Sequence, residues 1–158
     1  MKLRLICVGR ISESYLREGI DEFAGRIMRY LPLAITELKE EKGGGKKPDP
    51  RHLREQEGER ILAKIPAAAF AVVLDERGES LTSEGVAALL ERHMIQGTPE
   101  MTLVIGGPYG LSDAVRRRAN LLLSLSPMTF THQMVRLFLL EQIYRGLTIV
   151  RGEPYHNR

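Results

Sequence analysis

The chain has no tryptophan and a single cysteine, Cys7. One cysteine closes no disulfide within the chain and builds no zinc cluster, which points to a reducing compartment. Cys7 stands among apolar neighbours, where a packed core thiol is expected rather than a nucleophile. The four histidines (His52, His93, His132 and His156) lack ligand spacing, so no metal centre is expected. No apolar run reaches the roughly 18 residues of a membrane span. The start, Met1 to Gly9, carries Lys2 and Arg4 inside a short apolar run and does not read as a signal peptide. A cytoplasmic protein without membrane contact is expected. Charge of one sign is scarce as well: the net charge of +3 is too small to argue for a nucleic-acid partner by bulk electrostatics. Cationic residues do cluster, at Lys46, Lys47, Arg51 and Arg54 and again at Arg116, Arg117 and Arg118, as solvated faces or as phosphate contacts.

Several nucleotide and hydrolase motifs are missing too. The loop Gly106 to Ser112 has no Gly-Lys-Ser/Thr, which a phosphate-binding loop needs to grip phosphate and magnesium. Its glycines fall at 106, 107 and 110, not at the spacing of a dinucleotide fingerprint. No Gly-x-Ser-x-Gly elbow is present.

What is present is a strand–helix alternation over one domain, residues 1–158, whose 43% hydrophobic content supplies a substantial core. Strands are expected at Leu3–Val8, Leu33–Leu38, Ala67–Leu74, Thr102–Ile105 and Leu121–Leu125. Helices are expected from a Ser12 cap to about Tyr30, from Arg51 to about Ile65, after Thr82 or Ser83, after Ser112 and from a Thr131 cap to about Leu147. The unbroken apolar run Ala67–Leu74 suits a strand covered on both faces. The fold class is therefore α/β, with a mostly parallel sheet and helices on both faces. Glu40 to Pro50, rich in glycine and lysine, reads as a mobile loop. The apolar stripe of the last helix is wider than one face and calls for a second packing surface, such as another subunit.

Ligands in such sheets bind beyond the carboxyl ends of the strands. Three ends carry small or turn-forming residues: Leu74-Asp75, Ile105-Gly106-Gly107 and Leu125-Ser126-Pro127. Gly106 and Gly107 would let a ligand lie against the backbone. His132 opens a helix, where the dipole disfavours imidazolium and leaves a ring able to accept a proton; Arg136 follows on the same face. That pair suits a substrate that turns anionic as it reacts, although a capped histidine and a surface ion pair would look the same. Tyr155 and His156, behind Gly152 and Pro154, mark either a docking tail or a frayed end. His52 and His93 read as exposed helix residues.

Four segments taken together are more specific. Ile105-Gly106-Gly107-Pro108-Tyr109-Gly110-Leu111, Leu123 to Arg136 (Leu-Ser-Leu-Ser-Pro-Met-Thr-Phe-Thr-His-Gln-Met-Val-Arg), Glu141-Gln142-Ile143-Tyr144-Arg145-Gly146 and Pro154-Tyr155-His156 closely resemble the RlmH (YbeA) family of SPOUT-class methyltransferases. The likeness spans the chain, from the Met-Lys-Leu start through Glu57-Gly58-Glu59 to the tail. It implies a SPOUT-type fold with a C-terminal trefoil knot, S-adenosylmethionine as cofactor, and methylation of N3 of a pseudouridine in large-subunit (23S) ribosomal RNA on the assembled ribosome. By position, the cofactor contacts fall on Leu74, Gly106, Leu125, Ser126, Pro127, Met128, Thr129 and Phe130. It also implies a homodimer in which one tail reaches the other subunit's pocket. On that basis His132 or His156 is the expected base, Arg136 the stabiliser of developing negative charge and Tyr155 a positioning or stacking group. The absence of an appended RNA-binding domain favours a particle-sized substrate. The rivals are a noncatalytic ribosome-associated factor on the same fold and a methyltransferase of the same class for another RNA, such as tRNA.

Overall fold

The alternation resolves into five strands and five helices among residues 1–41 and 49–157, the part of a computed structural model described here. In chain order they are β1 (Lys2–Val8), α1 (Ser14–Ile27), β2 (Leu33–Leu38), α2 (Pro50–Leu62), β3 (Phe70–Ser80), α3 (Ser83–Ile95), β4 (Glu100–Ile105), α4 (Asp113–Arg118), β5 (Leu121–Ser124) and α5 (His132–Val150). The strands form one sheet in the order β2-β1-β4-β3-β5. All four pairings are parallel. Every described strand therefore ends at the same edge.

Alternation along the strands divides the core into two layers. Leu3, Leu5 and Cys7 of β1, with Met101, Leu103 and Ile105 of β4, face a cluster completed by α1, α3 and α5. Ile6, Val8, Val73 and Val104 face the opposite way, onto Ile61 and Ile65 at α2 and Leu111 and Val115 at α4. Helices thus cover both faces, as the apolar strands require. Cys7 is a core thiol: burial pushes it up to about 11, and its Sγ points to the Thr36 carbonyl at 3.7 Å.

Local chemistry explains most boundaries. The hydroxyls of Thr82, Ser112 and Thr131 accept from the amides of Gly85, Val115 and Met134, closing the first turns of α3, α4 and α5. Asp49 caps α2 by accepting from the Arg51 amide at 3.0 Å. The expected Ser12 cap is corrected. The residue before α1 is Glu13, with no side-chain cap, and Ser12 instead donates from its amide and hydroxyl to Gln133 Oε1 on α5. β3 starts later than expected, because Pro66 to Ala69 makes a turn (Ala69 N–H to Pro66 O, 3.1 Å). It also runs past Leu74, with a register shift against β5 between Leu74 and Glu79. His93, expected on the surface, is buried: it lies 4.0 Å from the Phe70 ring centre and pairs through Nδ1 with Thr98 Oγ1 at 2.8 Å. Burial, then Arg92, lowers its pKa. The loop expected over Glu40–Pro50 falls largely on residues 42–48, which lie outside the described residues together with Lys46 and Lys47.

The wide stripe of α5 is largely covered within the chain. Leu139, Leu140, Ile143 and Leu147 are buried with Ile20 and Ile27 of α1 and Leu90 of α3. Tyr144 packs against Phe23 and Tyr30.

At the other end of α5 lies the largest charged side chain of the interior. Arg136 is 2% exposed. Its Nη2 donates to the carbonyls of Val8 and Gly9, both at 2.8 Å, and Nη1 reaches Glu37 Oε2 at 3.4 Å. Gly9 has φ +87°, and a Cβ there would meet Glu40 Oε2 at 3.3 Å. The guanidinium thus joins the first turns of α5 to the ends of β1 and β2. Removing it strands two buried carbonyls and a partly buried carboxylate, a loss of about 3–5 kcal/mol. Arg136→Ala should therefore lower the urea midpoint strongly, with Arg136→Lys in between. A loss of unfolding free energy below about 1 kcal/mol for the alanine variant, taken as the midpoint shift times m, would show that the clamp is dispensable.

Candidate cofactor cavity at the strand ends

A cavity of about 870 Å³ opens where β4 and β5 end, beside the irregular stretch of β3 that follows Leu74. That is ample for a nucleoside-sized ligand. Its walls combine apolar groups, from Leu74, Ile105, Leu123, Leu125 and Phe130, with polar ones, from Asp75, Ser126, Thr129 and His132.

Most residues named from the sequence meet there. Leu74, Gly106, Leu125, Ser126, Met128, Thr129, Phe130 and His132 all line the cavity. Pro127 lies in the same bend but is not part of the wall. The bend is held from within: Ser124 Oγ donates to the Ser126 carbonyl and the Met128 amide donates to Ser126 Oγ, each at 3.0 Å. Met128 is left 72% exposed. Phe130 packs on Phe138, ring centres 5.1 Å apart.

The glycine loop differs from expectation in an instructive way. A Cβ on Gly106 would meet Leu111 Cδ2 at 2.8 Å, and one on Gly107 would meet Glu57 Oε2 at 2.9 Å. The missing side chains make room for the protein's own groups beside and behind the loop. Gly110 then turns back, its amide donating to the Gly107 carbonyl at 3.0 Å, with φ +86°. Packing against these groups therefore shapes a loop whose front faces the cavity.

Three polar groups set the electrostatics. His132 sits in the first turn of α5; burial, followed by the nearby Arg136 charge, lowers its pKa, with Glu40 opposing. The ring is therefore neutral at physiological pH and free to accept a proton. Asp75 accepts from Arg116 Nε at 2.6 Å and from the Arg77 amide at 2.9 Å. Burial pushes Asp75 up, but these donors outweigh it and hold the carboxyl below its usual range. The arginine cluster on α4 is thus partly internal: Arg116 serves Asp75 and the Leu111 carbonyl, and Arg118 serves the carbonyls of Pro66 and Ala69. Arg54 approaches the Tyr109 carbonyl at 3.4 Å. The Asp75–Arg116 pair was legible only as an acidic residue at a strand end and a separate basic run.

Arg136 is not part of the wall. Its donors are directed to Val8, Gly9 and Glu37, one turn beyond His132. In this structure its contacts are structural, to the ends of β1 and β2.

Tyr155 and His156 lie elsewhere. Neither lines the cavity; the tail folds back onto the middle of α5, meeting Glu141 nine residues, or ~14 Å of helix, beyond His132. The tail is docked. Tyr155 donates to Glu141 Oε1 at 3.0 Å, its ring meets Tyr144 edge-on at 4.7 Å, and the Arg145 guanidinium lies over it at 4.8 Å. His156 Nδ1 faces Arg145 Nη1 at 3.2 Å, and its Nε2 faces Glu84 Oε1 at 3.2 Å. Arginine has only donors, so Nδ1 accepts and the proton sits on Nε2. Burial, then the bond to Glu141, raises the Tyr155 pKa.

Among the described residues no group of three or more His, Cys, Asp or Glu is placed to hold a metal ion, and no helix is long and apolar enough to cross a membrane. S-adenosylmethionine suits the cavity on its donor set: apolar side chains for a purine and backbone bends for its polar edges.

Residues 1–156 match the family described as "Predicted SPOUT methyltransferase". The chain is 64% identical over 158 residues, the full length of both, to a protein of Syntrophotalea carbinolica named ribosomal RNA large subunit methyltransferase H. It is 51% identical over 157 residues to the protein of that name in Geotalea uraniireducens, 99% of this chain and 100% of the relative. A third, from Geobacter sp. (strain M21), is 52% identical over 157 residues, 99% of each chain. With a parallel sheet, a cavity at its carboxyl edge and likeness over its whole length, the chain belongs to the SPOUT methyltransferase family.

Proposed function

We propose that the protein is an S-adenosylmethionine-dependent methyltransferase that modifies N3 of a pseudouridine in large-subunit (23S) ribosomal RNA. It works in the cytoplasm, as a homodimer, on the assembled ribosome. The observation that carries the reading is end-to-end likeness to relatives named ribosomal RNA large subunit methyltransferase H, together with the cavity at the strand ends.

When bound, the cofactor supplies a methyl group on a sulfonium centre, which is transferred by direct displacement. The chain's share is then mainly positioning. Leu74, Leu125 and Phe130 provide an apolar seat, and the bends at Gly106 and at Ser126 to Thr129 offer backbone groups to its polar edges. Pro127 has no amide to donate. His132, neutral and in the cavity wall, is placed to take the proton that leaves N3. Arg136 holds His132 by tying α5 to β1, and its buried charge helps keep the ring neutral.

Tyr155 and His156 are docked on Glu141, Arg145 and Glu84 of their own chain, outside the cavity wall, and in this scheme they act on a second copy. In a homodimer they would enter the cavity of the other subunit, Tyr155 stacking on or positioning the base and His156 serving as an alternative base. The trefoil knot belongs to the same reading. Its support is the strand order: after β4 the chain passes β3, pairs on its far side as β5, and returns through α5 to the end of β1.

Two outcomes follow. Isothermal titration with S-adenosylmethionine should show saturable binding, weakened about tenfold or more by Phe130→Ala, whose lost stacking is worth ~1–3 kcal/mol; no heat from the wild-type chain would favour a noncatalytic factor. A Phe130→Ala chain mixed with one lacking residues 154–158 should regain about a quarter of wild-type turnover after subunit exchange, since half the dimers then hold one intact shared site; no recovery would place tail and cavity in the same chain. Turnover is read as methyl mapped to the large-subunit RNA, with naked RNA fragments and tRNA expected to be poor substrates.

A further inference from the structure

Glu57 is a buried acid that the scheme above does not use. It sits on α2 with 2% exposure. Neither carboxyl oxygen has a hydrogen-bond partner among the described residues. The group is pressed against the cavity's glycine loop from behind: a Cβ on Gly107 would lie 2.9 Å from Oε2 and 3.3 Å from Oε1, beside Val8 Cγ1 at 3.1 Å. The next residue, Gly58, is packed against Ser112, the cap of α4, so α2 cannot swing away: a Cβ there would meet Ser112 Oγ at 2.3 Å. A buried carboxyl without donors is costly when ionised. The matching donors are the amides of the loop it touches.

We propose that Glu57 is a positioning residue of the glycine loop: when the cavity fills, a loop amide turns onto its carboxylate, and the carboxyl proton leaves to solvent. Binding at the front of the loop and ionisation behind it then become one event. This rests on the reading that the cavity holds S-adenosylmethionine.

The electrostatics agree. Burial pushes Glu57 up to about 6. The charged groups facing it are Glu40 and Glu41, beyond β2, which raise it, and Arg60 on its own helix, which lowers it. β1 and the loop bring Val8 and Gly107, which carry no charge. In the free protein the protonated form is favoured, so stability declines as pH rises from the unfolded value of ~4.5 through about 6. A loop amide on the carboxylate lowers the pKa in the complex and reverses that trend.

Cofactor affinity should therefore rise about tenfold between pH 5 and pH 7, measured by titration calorimetry with S-adenosylmethionine. At about pH 6, paired buffers of different ionisation enthalpy should report roughly half a proton more released by wild type than by Glu57→Gln. The difference between the two proteins removes any proton contributed by His132. Equal release by both would overturn the role of Glu57 while leaving the cofactor reading intact. No binding by wild type at any pH would overturn that reading and this inference with it. If Glu57→Gln does not fold, wild type with carboxyl-labelled glutamate serves: one carbon resonance titrating near pH 6 should move to lower pH when the cofactor is added. An unmoved resonance overturns the proposal.

Discussion

A guanidinium at 2% exposure fixes how the two ends of this fold meet. Arg136 carries a charge that burial would make prohibitive without partners. Its partners are the last carbonyl of β1, the carbonyl of Gly9 and the Glu37 carboxylate. None is available unless α5 lies across the ends of β1 and β2, so the charge sets the register of α5 on the sheet. His132 stands one turn earlier and inherits that register: its Nε2 is 3.8 Å from where a Gly9 Cβ would be. The cation that positions the ring also disfavours protonating it. A single buried charge thus places the ring and adds to the burial that disfavours its protonation.

The glycine loop shows the same logic from the other side. Leu111, itself part of the cavity wall, fills the space beside Gly106, and Glu57 the space behind Gly107. The loop is shaped by what lies beneath it, and its front is left to a ligand. A reaction limited by alignment benefits from this arrangement, because ordering the site does not then have to be supplied by the substrate. The exception is Glu57, an unpaired acid under the loop, and so the place where occupancy of the front can be felt behind.

Much of this was legible in the residues. The positions of every strand except β3, and the side-chain caps at Thr82, Ser112 and Thr131, follow from periodicity and capping chemistry; β3 starts later than its apolar run and continues past Leu74 to Ser80. Ser12 was misread because a serine before a helix looks the same whether it caps that helix or binds Gln133, 121 residues away. His93 on α3 was read as surface because neither Thr98 nor the Phe70 ring is visible in helical spacing. Glu57 lies in a run of alternating charges that reads as a solvated helix face; nothing local distinguishes it from Glu55 or Glu59. For Arg136 the sequence shows a charge on the face of His132 but not the carbonyls of Val8 and Gly9 that it binds.

The arginines bear on recognition as well. A net charge of +3 already implies a weak general attraction to RNA. Arg136 is buried, and Arg116 and Arg118 spend part of their donors on Asp75 and backbone carbonyls, which leaves them less free for phosphate. The cationic surface open to a polyanion is therefore smaller than composition suggests. Counterion release scales with the phosphates neutralised, so such a surface supplies little sequence-independent affinity. Selectivity must then come from shape: a cavity of nucleoside size, a docked aromatic tail and, in the proposed dimer, two chains converging on one nucleotide. Recognition of that kind favours a folded, particle-bound target over a flexible strand, because a rigid partner has less entropy to lose on docking.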